Sequence, residues 1–225
     1  MLDKQLRMQA DAATMDWIDS FTKKGQLKKL PNTFGGYSIK IFDNPELLDM
    51  EIQKRAKESD SALSRVIATY DWEYSSMRKP MAQDHLVKYW EVLIGKWHKP
   101  WNRELEFELT RKEKRDIKGL AWAEQPKTIN EVGSTFTIQG FDLNYAGVIL
   151  GPSVKYRDGK IRFDPSASHN EKAVRNRTLS DGTKKKFGET LIQHEVRVLM
   201  TRGVNGMYIY ACDPELRAAL LAAAK

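Results

Sequence analysis

Thr135–Gly151 reads TFTIQGFDLNYAGVILG, and Val198–Asp213 reads VLMTRGVNGMYIYACD. Each joins a polar, turn-forming cluster to a short apolar run. Ala146-Gly-Val-Ile-Leu150 and Gly206-Met-Tyr-Ile-Tyr-Ala211 read as buried strands, and a further short strand is expected from Ser134 into the turn at Gln139-Gly140. A helix from about Phe187 to Met200 leads into the second run, with Leu191, Ile192, Val196, Leu199 and Met200 on its apolar side. Working outward, residues 3–22 have helical apolar spacing, closed by Gly25 and Pro31. Tyr37–Phe42 alternates like a strand. Asp43-Asn-Pro-Glu caps a helix running to about Glu58, and Arg65–Tyr70 is another short strand. Helix, strand, helix, strand is the rhythm of an α/β fold with a mainly parallel sheet.

Two stretches interrupt that rhythm. Residues 71–130 hold Trp72, Trp90, Trp97, Trp101 and Trp122 among many charges. Such a region suits stacking on nucleic-acid bases; a loop-rich insertion whose tryptophans pack on the core has the same composition. Residues 153–186 form a second, basic insertion, a hairpin followed by a loop. Val154–Phe163 alternates around Asp158-Gly159, a two-residue hairpin signal, and residues 165–186 lack periodicity and include Lys184, Lys185 and Lys186. Asp213-Pro-Glu then caps a last helix.

The 225 residues suffice for one sizeable α/β domain, and 1–225 reads as one. No apolar run is long enough to span a membrane, and the N-terminus lacks the apolar stretch of a signal peptide. With Cys212 alone there is no internal disulfide, which fits a cytoplasmic setting. Net charge is +7, and Ser153–Arg197, with eleven Lys/Arg against six Asp/Glu, holds +5 of it. An anionic partner such as nucleic acid would sit near that stretch, although a solvated insertion would look alike.

Arg202 sits between a helix end and a buried strand. An arginine on so rigid a junction can reach across an interface to a phosphate, where its planar fork matches the charge spread over the oxygens during transfer. An arginine that merely complements the helix dipole would occupy the same place. In Gln139-Gly140-Phe141-Asp142, glycine permits close backbone approach to a ligand, and Asp142 could accept from a ribose hydroxyl. Thr135 and Thr137 offer hydroxyl and backbone donors to a nucleic-acid phosphate. An ordinary turn with Asp142 as a cap is the alternative.

Taken in order, these blocks resemble the second RecA-like domain of superfamily-1 helicases. More closely they resemble an uncharacterised bacterial family of helicase-like P-loop ATPases related to the helicase half of Schlafen proteins. Gln139, Gly140, Asp142, Tyr145, Gly147, Val148, Ile149 and Gly151 match its motif five. Arg197, Val198, Leu199, Thr201, Arg202, Gly203, Gly206, Tyr208, Ile209 and Tyr210 match its motif six. Leu2–Met8 resembles motif four, with Arg7 as its arginine, and Asp71-Trp72 matches an Asp-Trp pair after the second strand. The resemblance implies a RecA-like three-layer sandwich in which Arg7 and Arg202 approach the γ-phosphate of ATP held by another RecA-like domain. It implies that Gln139, Gly140 and Asp142 couple nucleotide to a single nucleic-acid strand, and that Thr135 and Thr137 lie along the strand-binding face. Two positions depart from the pattern. Phe136 stands where the family usually has histidine, and Val196 where tyrosine is common.

A motor also needs G-x-x-x-x-G-K-[ST] and an acidic Mg²⁺ site. Gly95-Lys96-Trp97 and Gly159-Lys160-Ile161 do not supply the first. ATP and Mg²⁺ are therefore expected only together with a Walker-containing domain in cis or in trans, and the isolated chain is expected to be inactive. His85, His98, His169 and His194 lack zinc-ligand spacing, and no G-x-S-x-G elbow is present. A non-catalytic nucleic-acid or protein-binding module on the same fold is the other reading.

Overall fold

The computed structural model describes residues 8–32, 36–58, 63–77, 80, 88–171, 177–178 and 184–225; for 177–178 and 184–185 only the backbone is considered. The strands are β1 (Ser38–Phe42), β2 (Arg65–Ala68), β3 (Glu91–Ile94), β4 (Trp97–Pro100), β5 (Val132–Gly133), β6 (Leu143–Leu150), β7 (Val154–Arg157), β8 (Lys160–Phe163), β9 (Arg177–Thr178), β10 (Lys184–Lys185) and β11 (Gly203–Ala211). The helices are α1 (Ala12–Lys24), α2 (Pro45–Ala56), α3 (Arg111–Asp116), α4 (Gly188–Met200) and α5 (Pro214–Ala223).

The two stretches read first lie side by side at the centre of the sheet. Its order is β1-β11-β6-β2-β5, with every pair parallel. Ile209 sits beside Ile41 on one side and Val148 on the other. Period-two alternation then divides the core. Val148, Leu150, Met207 and Ile209 face α1, α4 and α5, where Trp17, Phe21, Val196, Leu199, Leu216 and Leu220 pack on them. Ile149, Tyr208 and Tyr210 face Leu48 and Ile52 of α2, together with Trp101 and Val132. Helices on both faces of a parallel sheet make the three-layer, RecA-like sandwich.

Local chemistry explains the element ends. Asp11 caps α1 by accepting the Thr14 N–H at 2.8 Å, and Gly25 ends it at φ 63°. The helix expected over 3–22 begins later, at Ala12: residues 8–11 are not helical, and residues 3–7 lie outside the described residues. Asn44 and Asp213 cap α2 and α5 as their Pro-Glu starts predict. Tyr145 and Tyr208, both from the motif matches, stack at 5.5 Å, with the Arg55 guanidinium 4.7 Å from the Tyr145 ring centroid. Their part is to hold α2 on the sheet.

Within 71–130 the tryptophans serve packing. Trp101 and Trp122 are fully buried, while Trp72, Trp90 and Trp97 are partly buried against the α2-side core. Arg65 reaches out of β2 to Thr128 Oγ1 at 2.9 Å and the Gln125 carbonyl at 3.2 Å, and its burial pulls its pKa down to about 10. The Trp122 indole donates to Glu131 at 2.9 Å. Burial pushes the Glu131 carboxyl up to about 7. β7 and β8 form the hairpin, with Asp158 and Gly159 both at positive φ. The hairpin docks on the end of α1 through the Ile161 N–H, which donates to the Gly25 carbonyl at 2.8 Å.

Candidate nucleotide-facing site

Residues 134–142 form a turn rather than the strand expected before Gln139. Thr-Phe-Thr-Ile alternates like a strand, but hydroxyls claim the backbone first. The Thr137 hydroxyl accepts the Ser134 N–H at 2.8 Å and donates to the Ser134 carbonyl at 2.9 Å. The Ser134 carbonyl also accepts the N–H groups of Thr137 and Ile138. The Ser134 hydroxyl donates to Asn102 Oδ1 at 2.6 Å, which fastens the turn to the Trp-rich segment. Gly140 then takes φ 79°, a conformation open to glycine, and delivers Phe141 and Asp142 to the start of β6. Gln139 and Gly140 are exposed, whereas Thr135, Thr137 and Asp142 are half-buried.

Arg202 arrives from the neighbouring element. The α4 helix closes at Thr201, whose hydroxyl bonds back to the Arg197 carbonyl at 2.9 Å. The next residue is Arg202, immediately before β11. A Cβ at Gly203 would run into the carbonyl oxygen of Gly206, so glycine there permits the irregular start of β11 and with it the placement of Arg202. The Leu143 N–H donates to the Arg202 carbonyl at 2.8 Å. Arg202 Nη1 reaches the Phe141 carbonyl at 3.3 Å and Asp142 Oδ1 at 3.5 Å, both long for charge-assisted contacts. Its Nε is buried with no partner. The guanidinium therefore points into the motif-five turn instead of back onto its own helix carbonyls. It holds unspent donor capacity beside the exposed Gln139-Gly140.

The other predicted positions divide. Arg7 lies outside the described residues. The first described segment bonds near the site: the Gln9 N–H donates to the Val204 carbonyl at 3.0 Å. Lys184 and Lys185 form a two-residue ladder with Thr178 and Arg177, and Lys186 is exposed. These lysines precede the first turn of α4 while Arg202 follows its last. A 13-residue helix, roughly 20 Å long, thus separates them. Arg197 pairs with Asp19 and so joins α4 to α1.

A second polar cluster lies at the other end of the same strands. Asp71 accepts from Thr69 Oγ1 at 2.9 Å and from the Ser153 N–H at 2.8 Å, while its Oδ1 is buried without a partner. Glu195 accepts the Tyr70 N–H at 2.9 Å. Burial, and then the nearby Asp71 charge, push the Glu195 carboxyl up to about 8; burial also raises Asp71. Glu195 was not singled out by its sequence context, although it shares a helical face with Ile192 and Leu199. With β6 eight residues long, Asp71 at its far end is roughly 25 Å from the Arg202 backbone. Among the described residues no group of three or more His, Cys, Asp and Glu side chains could hold a metal ion, and no helix is long and apolar enough to cross a membrane.

Comparison with known proteins bears on this arrangement. No solved structure matches the chain. An uncharacterised protein of Saccharomyces cerevisiae, YPL245W, is 31% identical over 243 aligned residues, covering 100% of this chain and 48% of the yeast protein. The chain thus spans about half the length of that relative. A family model described as Schlafen group 3, DNA/RNA helicase domain, matches residues 1–213. The chain therefore belongs to the Schlafen group 3 DNA/RNA helicase domain family.

Proposed function

We propose that this chain is the C-terminal motor half of an ATP-dependent DNA/RNA helicase or translocase. Arg202 serves as the arginine finger for ATP and Mg²⁺ held by a separate Walker-containing RecA-like domain, in cis or in trans. The observation that carries this reading is the Arg202 guanidinium, held beside the exposed Gln139-Gly140 turn with its Nε unpartnered. A γ-phosphate oxygen would offer it shorter, stronger bonds than the Phe141 carbonyl does. Arg7 is proposed to act beside it. Gln139, Gly140 and Asp142 would sense the nucleotide and pass its state along the turn to a single strand lying past Thr135 and Thr137. Lys184, Lys185 and Lys186, one helix length away, would supply phosphate contacts outside the cleft.

The test supplies the Walker-containing domain and measures ATP turnover with and without single-stranded DNA or RNA. Strand-stimulated turnover is the expected result, abolished by Arg202→Ala with ATP binding largely spared. Salt-sensitive strand binding without any turnover would instead establish a binding module.

A further inference from the structure

Phe136 is 54% exposed, unusual for so large an apolar ring. The ring is braced from one side. It meets Tyr70 edge-on at 5.3 Å and 87°, and Tyr70 rests on fully buried Trp101 at 5.5 Å. Tyr70, Tyr74, Asn102, Arg103, Phe136 and Thr137 line an open cleft of about 370 Å³. The Arg103 side chain is 55% exposed, and its carboxylate neighbour Glu106 is 4.0 Å away. Asn102 is 4% exposed, its Oδ1 is taken by Ser134, and its Nδ2 is buried with no acceptor. The cleft thus combines a rigid aromatic face, an unspent amide donor and an outward guanidinium, and none of its described lining residues is acidic.

We propose that this cleft holds one unstacked base of a single nucleic-acid strand, with the base against Phe136 and an adjoining phosphate at Arg103. This rests on the helicase reading above, which supplies the strand. An apolar peptide side chain would fill the aromatic part but leave Arg103 and the Asn102 amide without use. A nucleotide brings a π-face, ring and carbonyl acceptors, and a negative charge on one ligand. Phe136 and Asp142 belong to the same nine-residue turn, but Phe136 rests on Tyr70 at the opposite end of the strands from Arg202.

Fluorescence anisotropy with a labelled oligo-dT or oligo-U of about ten nucleotides, a length within reach of such sites, tests the idea on the full chain. Phe136→Ala is expected to weaken binding about 5- to 150-fold, the range for losing one stacked base. Phe136→Trp is expected to keep it. Arg103→Ala is expected to weaken binding and flatten its salt dependence by about one phosphate contact. Thermal melting checks that each variant folds, and the exposure of both side chains favours that. Wild-type affinity in a folded Phe136→Ala overturns this proposal while leaving the helicase reading intact. A wild-type chain that binds neither oligonucleotide also overturns it, whereas the helicase reading is decided by strand-stimulated turnover with the Walker-containing domain supplied.

Discussion

The carbonyl oxygen of Arg202 accepts the backbone N–H of Leu143 at 2.8 Å. This one bond locks the motif-six arginine to the residue that follows the motif-five turn, at the point where β11 and β6 begin. The two motifs are about sixty residues apart in the chain and adjacent in space. Anything that shifts the turn therefore shifts the guanidinium.

If Arg202 completes a phosphate site, Arg202→Ala should reduce turnover of the reconstituted motor by about 10³-fold or more. Steady-state ATPase and a nucleotide-binding titration, run together, separate this from lost binding. The folded state should be little affected, since the side chain's two protein contacts are long. Turnover that survives the substitution would remove Arg202 from the role.

Gly203→Ala should destabilise the chain even though it adds only a methyl group. The new Cβ would meet backbone, the Gly206 carbonyl, which cannot swing aside as a side-chain tip could. A cost of about 1–3 kcal/mol is expected, read as a melting shift of about 2–4 °C per kcal/mol. An unchanged melting temperature would show that the start of β11 is more pliable than it looks.

Glu195 makes stability pH-dependent in an unusual direction. Its folded pKa is raised to about 8, so between the ordinary carboxylate range and pH 8 the folded chain holds a proton that the unfolded chain has lost. Stability should therefore fall as pH rises through that window and level off above it. Glu195→Gln preserves an acceptor for the Tyr70 N–H and removes the titration. Denaturant melts at pH 6 and pH 8 should show a smaller decline in the variant than in the wild type.

Asp49 and Lys99 form a buried ion pair at 2.6 Å, with side chains 9% and 10% exposed. Burial holds the Lys99 pKa below its ordinary value. Asp49→Ala should cost about 3–5 kcal/mol by stranding the ammonium, and adding Lys99→Met should recover much of that loss. Equilibrium unfolding of the single and double variants gives the comparison.

Much of this was legible from residue pattern alone. Apolar runs at 146–150 and 206–211, with helical stretches between strands, announce a parallel sheet. Caps such as Asn44 and Asp213 mark helix starts within a residue or two. The motif order singles out Arg202 and Asp142 separately, but not that the two side chains meet. The turn at 134–138 reads as a strand because Thr and Ile carry strand character, while the competing hydroxyl bonds of Ser134 and Thr137 are local and leave no periodic trace. The buried state of Glu195 depends on which strand ends converge above α4. The aromatic cleft depends on Tyr70, Asn102 and Phe136 coming from three separate stretches, which no local spacing reveals.

The strand order also dictates when the fold can close. β11 is the last strand in the chain among those described, yet it lies between β1 and β6. Until residues 203–211 are made, β1 has no neighbour to pair with, and β6 exposes an edge with the full apolar length of Ala146–Leu150. A nascent chain can form its α2-side pairing of β2 with β6 early, but must hold a slot open for the strand that arrives last. Such non-local closure is slow, and an unfilled edge invites pairing with other chains. The insertion of β11 that closes the sheet is also what seats Arg202 beside its turn, so the two meet only once that slot is filled.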